Sequence, residues 1–127
     1  MKNLIDIKYW IFDLDNTICE TINGDYANSI PRTAIINKLK EYKNNGFEIV
    51  ISTSRNMRTF NNNIGKISAN TLPIIIKWLN SNNIPFDEIY IGKPWCGNDG
   101  FYIDDRSLRP KEFEKLTYNE ILELIKR

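Results

Sequence analysis

The alternation of strand-like and helix-like segments constrains the fold of this chain most. Short runs of apolar and β-branched residues predict strands at 9–14, 47–52, 88–91 and 101–103. Segments with apolar residues at helical spacing, long enough for helices of ten or more residues, lie among these runs. Because such helices link consecutive strands by right-handed crossovers, the pattern predicts an α/β fold, three-layer and Rossmann-like, with a central and mostly parallel sheet.

Three helices are predicted. The first spans about 31–45, with proline favoured at its first position and Gly46 just beyond its end. The second spans about 70–80, and a capping box formed by Thr117 and Glu120 begins the last. Their predicted inward faces are Ile35, Ile36, Leu39 and Tyr42 in the first, Leu72, Ile75, Ile76 and Leu79 in the second, and Tyr118, Ile121, Leu122 and Ile125 in the last.

Length and charge limit the class of protein. A chain of 127 residues is expected to form one domain over 1–127. A net charge of +1 gives no electrostatic footprint for nucleic acid, and no polybasic run indicates a membrane surface. No stretch approaches the ~20 apolar residues of a membrane span, and the first residues do not resemble a signal peptide. We therefore expect a cytoplasmic protein without nucleic-acid or membrane partners.

The sequence contains no histidine, which restricts its chemistry. This absence excludes Ser–His and Cys–His nucleophile pairs, phosphohistidine chemistry and most zinc hydrolase sites. Cys19 and Cys96 are too few and too far apart to indicate a disulfide framework. An enzyme of this composition is expected to use carboxylates, Lys, Arg, hydroxyls and a hard metal ion.

Polar side chains follow the predicted strands at their carboxyl ends, where ligands bind in open parallel sheets. They are Asp13 and Asp15, Thr53, Lys93, and Asp104 with Asp105. Four carboxylates at one edge repel one another unless a cation neutralises them, and oxygen ligands without histidine or thiolate predict Mg²⁺. One carboxylate can then act as a nucleophile while Lys93 neutralises a phosphoryl group, which predicts phosphoryl transfer.

The same segments resemble the motifs of the haloacid dehalogenase superfamily. In order, they are Trp-Ile-Phe-Asp-Leu-Asp-Asn-Thr at 10–17, Ile-Val-Ile-Ser-Thr at 49–53, Gly-Lys-Pro at 92–94 and Tyr-Ile-Asp-Asp at 102–105. The runs 51–59 and 92–106 are similar to those of short phosphatase-like members encoded with capsular polysaccharide genes. That resemblance spans nearly the whole chain and implies a hydrolase of phosphate esters.

The resemblance also implies roles for individual residues. Asp13 would attack phosphorus and form an aspartyl phosphate, and Asp15 would transfer the proton of the leaving group and then activate water. Thr53 and Lys93 would hold the phosphoryl oxygens. The implied Mg²⁺ ligands are Asp13, Asp15 through its backbone carbonyl, Asp104 and Asp105. The substrate would be a small phosphorylated sugar or polyol of capsule or surface polysaccharide biosynthesis.

Residues beside the motifs have open alternatives. Arg55 and Asn56 are predicted to bind the substrate, although Arg55 also suits a surface charge. Trp95 could stack on a sugar or base, or simply pack. The polar run 19–28 could be a hairpin or a flap. Neither insertion point holds enough residues for a cap domain, and 18–30 can form at most a flap. A capless site either accepts a large substrate or is closed by a neighbouring subunit, so we expect a homo-oligomer.

Three other functions are alternatives to a phosphatase. A response-regulator receiver domain needs a phosphoacceptor Asp near mid-chain, and no Asp occurs between Asp25 and Asp87, so this class is rejected. A catalytically silent binding module of the same fold usually loses a motif residue, and none is missing here. A phosphotransferase would require an acceptor in place of water.

Overall fold

The computed structural model describes residues 8–126. In chain order the elements are β1 (Tyr9–Phe12), β2 (Cys19–Glu20), a 3-10 helix (Tyr26–Asn28), β3 (Ile30–Pro31), α1 (Thr33–Asn44), β4 (Glu48–Thr53), α2 (Ile64–Asn70), α3 (Leu72–Ser81), β5 (Glu88–Ile91), α4 (Pro110–Lys115) and α5 (Tyr118–Ile125). The chain divides into two compact units, one ending at Trp95 and the other beginning at Cys96. No helix in the described part is both long and apolar enough to cross a membrane.

The first unit contains a parallel three-stranded sheet in the order β1–β4–β5. The central strand β4 has Ile49, Val50 and Ile51 almost completely buried, so both of its faces are covered. A parallel strand covered on both faces needs such a continuous apolar run, which is why the sequence identified it. The predicted α/β fold with a parallel sheet is confirmed.

Helix α1 follows its prediction closely and buries Ile35, Ile36, Leu39 and Tyr42. It begins at Thr33, two residues later than expected, because Pro31 pairs with Cys19 in the small antiparallel ladder of β2 and β3. The Tyr42 ring stacks on Trp10 at 4.0 Å between centroids. This aromatic contact joins α1 to the first strand of the sheet.

The predicted helix at 70–80 is α3, and a further helix, α2, precedes it. Asn63 caps α2 because its side-chain oxygen accepts a hydrogen bond from the Lys66 backbone N–H at 3.0 Å. The expected inward face of α3 was partly wrong, since Ile76 is 37% exposed whereas Trp78 is buried. The indole can be buried because its Nε1–H donates to the Ser29 carbonyl at 2.8 Å.

Residues 19–31 form a hairpin, which agrees with one of the two expected forms for this polar segment. Its strands β2 and β3 flank the 3-10 helix. The Trp78 hydrogen bond to Ser29 ties the hairpin to α3, and the Arg32 N–H donates to the Ile18 carbonyl at 2.8 Å. Within residues 8–126 neither insertion point carries a separate cap domain.

In the second unit, the predicted capping box is confirmed at the start of α5, where Thr117 and Glu120 exchange hydrogen bonds. The predicted strand at 101–103 is wrong, because these residues form no strand and Ile103 is 90% exposed. A three-residue apolar run supplies few ladder hydrogen bonds of its own. The next residues instead form a side-chain turn, in which the Arg106 N–H donates to Asp104 Oδ1 at 2.9 Å.

Candidate active site

The loop after β1 carries two of the predicted catalytic carboxylates, Asp13 and Asp15. The Leu14 carbonyl accepts the N–H groups of three successive residues, Thr17, Ile18 and Cys19, at 3.3, 3.0 and 3.2 Å. The Leu14 and Ile18 side chains are fully buried, which anchors both ends of this turn. The loop therefore presents Asp13 and Asp15 from a fixed backbone.

Asp13 lies opposite Lys93, with 3.8 Å between Asp13 Oδ1 and Lys93 Nζ. Their side chains are 39% and 26% exposed, so the pair is open to solvent. The neighbouring strands β4 and β5 place Lys93 here, because its backbone N–H donates to the Thr53 carbonyl at 3.1 Å. Burial raises the pKa of the Asp13 carboxyl, while Lys93 acts in the opposite direction.

Thr53 ends β4 and is almost completely buried. Its hydroxyl oxygen accepts a hydrogen bond from the Arg55 backbone N–H at 3.1 Å. Contacts thus run from Asp13 to Lys93, from Lys93 to Thr53, and from Thr53 to Arg55. The structure brings these predicted site residues together at the carboxyl ends of the parallel strands.

The Arg55 side chain is 1% exposed and forms a two-pronged ion pair with Asp15. Nη2 donates to Asp15 Oδ1 at 2.8 Å and Nε donates to Oδ2 at 3.1 Å. The Arg55 Cζ lies 4.2 Å from the centre of the Tyr26 ring. Thr21 completes the group, because its hydroxyl donates to Asp15 Oδ1 at 2.7 Å.

Sequence reasoning missed Thr21 and Tyr26. Both lie in the hairpin, and no motif or periodic pattern marks them as neighbours of Asp15. Only the folded position of the hairpin against the end of β4 does so.

Asn56 adopts a left-handed backbone conformation with φ of 61°. Its side-chain oxygen accepts from the Thr71 hydroxyl at 2.7 Å, and its Nδ2 donates to Thr59 Oγ1 at 3.2 Å. Both polar ends of this side chain therefore hold the loop after β4. The assignment of Arg55 and Asn56 to substrate binding stays a prediction.

Cys19 is a buried neighbour of Asp15 that takes no part in the predicted chemistry. Burial, with a further contribution from the Asp15 charge, raises the pKa of its thiol to about 11. The thiol therefore stays protonated near neutral pH, which makes Cys19 a poor nucleophile. It packs as a small apolar side chain, with its sulfur 3.6 Å from the Leu14 carbonyl oxygen and 3.7 Å from Asp15 Oδ1.

Trp95 is 42% exposed, and the Arg58 guanidinium lies 5.7 Å from the centre of its ring. This contact is a cation–π interaction at a solvent-exposed position. The ring is therefore partly packed and partly open, so both alternatives for Trp95 remain.

Asp104 and Asp105 belong to the second unit, where both are exposed. The hydrogen bond from the Arg106 N–H lowers the pKa of the Asp104 carboxyl. Among residues 8–126, no group of three or more histidine, cysteine or carboxylate side chains lies close enough together to hold a metal ion. The four-residue Mg²⁺ ligand set therefore stays a prediction of the sequence motifs.

The chain is similar to a known sequence family and to a solved structure. The sequence model of the haloacid dehalogenase-like hydrolase family matches residues 10–126. A crystal structure of a structural-genomics target from Vibrio cholerae is similar to this chain, with a TM-score of 0.92 and 53% sequence identity. The match covers 94% of this chain and 98% of that one. No curated protein sequence matches the chain significantly.

Proposed function

Because the chain belongs to the haloacid dehalogenase-like hydrolases, we propose that it is a phosphomonoester hydrolase with Asp13 as its nucleophile. The observation that carries this proposal is the placement of Asp13. Its carboxylate is accessible at the end of β1, 3.8 Å from Lys93, and the Lys93 backbone is hydrogen-bonded to Thr53. An accessible carboxylate beside a cation is an arrangement that suits nucleophilic attack on a phosphoryl group.

In the proposed reaction an Asp13 oxygen attacks phosphorus, a P–O bond forms and the bond to the leaving oxygen breaks. Lys93 and the Thr53 hydroxyl hold the non-bridging oxygens, on which charge is spread in the transition state. Asp15 must carry a proton in the substrate complex, and it gives that proton to the departing alkoxide. It then removes one from the water that hydrolyses the aspartyl phosphate, which returns Asp13 to its free carboxylate.

Hydrolases of this family generally use Mg²⁺, and carboxylate and carbonyl oxygens are the ligands that this cation prefers. The donor chemistry of Asp13 and Asp15 fits that preference, and the fourth motif would supply Asp104 and Asp105. When bound, the ion would neutralise charge on the phosphoryl group. We propose Mg²⁺ as the cofactor on the chemistry of these donors and on the motif resemblance.

For the substrate we propose a phosphorylated sugar or polyol of capsule or surface polysaccharide biosynthesis. This choice is supported by the resemblance of the runs 51–59 and 92–106 to the capsule-associated group. The absence of a cap domain from residues 8–126 is compatible with a substrate larger than the phosphoryl group alone. Release of inorganic phosphate from a panel of sugar, polyol and nucleotide phosphates would test the choice.

The central experiment compares wild type with Asp13→Asn, using p-nitrophenyl phosphate and Mg²⁺. The variant keeps the size of the side chain but lacks the nucleophilic charge, so turnover should fall by roughly 10³-fold or more while the circular dichroism spectrum is retained. Glu41→Gln, which removes a carboxylate from the exposed face of α1, is the control and should retain full turnover. EDTA should abolish wild-type activity, and added Mg²⁺ should restore it.

Three results would change the proposal. A folded Asp13→Asn protein that keeps more than about a twentieth of the activity would exclude covalent catalysis through Asp13. Wild type that hydrolyses no phosphate ester in the presence of Mg²⁺ would favour a silent binding module. Transfer of phosphate to added glycerol in preference to water would favour a phosphotransferase.

A further inference from the structure

We propose that Arg55 is a positioning residue, which fixes the orientation of the Asp15 carboxylate without touching the substrate. This inference rests on the proposed function, because it assigns proton transfer to Asp15. It also gives Arg55 a role different from the substrate binding that the sequence predicts. The evidence comes from the burial of the guanidinium and from the hydrogen bonds that each oxygen of Asp15 accepts.

The two partners of the ion pair differ in exposure. The Arg55 side chain is 1% exposed, whereas that of Asp15 is 28% exposed. Asp15 is therefore the more accessible partner, and the printed hydrogen bonds of the guanidinium go to Asp15 and to the Cys19 sulfur. Arg55 acts on the reaction through Asp15.

The hydrogen bonds distinguish the two oxygens of Asp15. Oδ1 accepts from Arg55 Nη2 at 2.8 Å and from the Thr21 hydroxyl at 2.7 Å, with the Cys19 thiol a further 3.7 Å contact. Within the described residues Oδ2 accepts only from Arg55 Nε, at 3.1 Å. Each carboxylate oxygen offers about two lone-pair sites, so Oδ2 is the oxygen with a site left for a proton. The geometry assigns proton exchange with the leaving group to Oδ2.

Arg55 also connects Asp15 to the hairpin of residues 19–31. The Tyr26 ring stacks against the guanidinium at 4.2 Å, and Thr21 hydrogen-bonds both Asp15 and the Ser29 hydroxyl, each at 2.7 Å. The orientation of the carboxylate is thus set from two sides, by the end of β4 and by the hairpin. The hairpin thus packs beside Asp15 through Thr21 and Tyr26.

The remaining nitrogen of Arg55, Nη1, takes no part in the ion pair with Asp15. Nη1 is buried and has no hydrogen-bond partner in the described part of the chain. Buried donors without partners are uncommon in folded proteins, and they concentrate where function takes precedence over stability. The planar fork of an arginine reaches both oxygens of one carboxylate, whereas a lysine offers only a point charge. Arg55→Lys should therefore keep the charge and lose the fixed orientation.

The test measures the single-turnover rate at which Asp13 is phosphorylated, with glucose 6-phosphate and with p-nitrophenyl phosphate. A sugar alkoxide is a poor leaving group that needs a proton, whereas p-nitrophenolate leaves without one. In Arg55→Lys and Arg55→Met the glucose 6-phosphate rate should fall about 10²-fold or more, since general acid catalysis contributes about 10²–10⁴-fold. The p-nitrophenyl phosphate rate should fall less than about 10-fold, with KM for both substrates within about threefold of wild type.

Two further variants keep the test decisive. Thr21→Val removes one donor to Oδ1 but leaves the guanidinium in place. The rate of Asp13 phosphorylation by glucose 6-phosphate should therefore fall several-fold, while the rate with p-nitrophenyl phosphate should not. This variant tests the inference even if the Arg55 variants do not fold. Lys77→Met, which removes an exposed charge from α3, should change neither rate.

Each outcome has one interpretation. A large rise in KM for both substrates would show that Arg55 binds the substrate directly, which overturns the inference. Equal rate losses for both substrates would show a merely structural role and would overturn it as well. Wild type that hydrolyses neither substrate would instead contradict the proposed function. Failure of the inference and failure of the proposed function are therefore distinguishable.

Discussion

Asp87 connects three elements of the first unit, and its replacement by asparagine gives a quantitative test of the fold. Both of its carboxylate oxygens accept from Lys43 Nζ near the end of α1, at 2.7 and 2.9 Å. Oδ2 also accepts from the Ile49 N–H of β4 at 2.8 Å. Partial burial acts to raise the pKa of the Asp87 carboxyl, but the hydrogen bonds from Lys43 and Ile49 outweigh it and lower the pKa.

Asp87→Asn keeps the shape of the side chain and replaces one acceptor oxygen with a donor group. A hydrogen bond to a charged group contributes about 1.5–3 kcal/mol when it is shielded from water. The Lys43 and Asp87 side chains are 33% and 26% exposed, so solvent reduces the contribution of the ion pair to less than about 1 kcal/mol. With the weakened bond from the Ile49 N–H included, we expect the free energy of unfolding to fall by about 1–2 kcal/mol.

The assay is equilibrium unfolding in urea, with Glu88→Gln as the matched control. Glu88 is the next residue, is exposed, and its side chain accepts a hydrogen bond from the Tyr90 hydroxyl at 3.3 Å. Glu88→Gln should change the free energy of unfolding by less than about 0.5 kcal/mol. If the free energy of unfolding fell no further in Asp87→Asn than in this control, the carboxylate would not join α1 to the sheet as inferred.

The pH dependence gives the same prediction a second check. A carboxyl whose pKa is lower in the folded state stabilises that state fully above its unfolded pKa of about 3.9, and the contribution is lost as pH falls through the folded pKa. The stability difference between wild type and Asp87→Asn should therefore stay constant from about pH 7 to about pH 5 and shrink below about pH 4. A difference that persists unchanged at lower pH would show that its origin is not the carboxylate charge.

Two further predictions concern Asp15 and Trp78. In Asp15→Asn the phosphorylation of Asp13 by a sugar phosphate should slow by about 10²–10⁴-fold more than that by p-nitrophenyl phosphate, and equal losses in single-turnover measurements would mean that Asp15 is not the general acid. Trp78→Phe removes the buried hydrogen bond to Ser29, so the free energy of unfolding in urea should fall by about 1–3 kcal/mol. Trp95 is exposed, so Trp95→Phe should lower the free energy of unfolding much less. Similar decreases in the two variants would contradict the proposed anchoring of the hairpin.

The sequence predicted the sheet of the first unit because each of its strands carries its own signal. The apolar run of β4 is long enough to require burial on both faces, and the inward stripe of α1 repeats at helical spacing. Periodicity does not say which tertiary partner covers a residue. Trp78 was therefore missed, since its burial depends on a carbonyl of the hairpin, and the strand expected at 101–103 did not form because a strand needs a neighbour to pair with.

The site was predictable where a polar side chain lies at or directly after the end of a strand. Asp13, Thr53 and Lys93 each lie at or just beyond the end of a parallel strand, so the fold alone brings them together. The partners of Asp15 could not be found in this way. Thr21 reaches Asp15, and Tyr26 reaches Arg55, only because the hairpin folds back onto the end of β4.

The two carboxylates of the first loop differ in how tightly they are held, and this difference suits the roles proposed for them. The Asp13 carboxylate has a longer contact, 3.8 Å from Lys93 Nζ, and a hydrogen bond from the Leu14 backbone. The Asp15 carboxylate accepts hydrogen bonds at 2.7, 2.8 and 3.1 Å from two side chains, so it keeps one orientation. A proton donor must meet the leaving oxygen within hydrogen-bond distance, and a fixed carboxylate achieves this without reorganisation in the transition state. Two aspartates separated by one residue can thus take different parts in one reaction, because Lys93 contacts one of them and Arg55 holds the other.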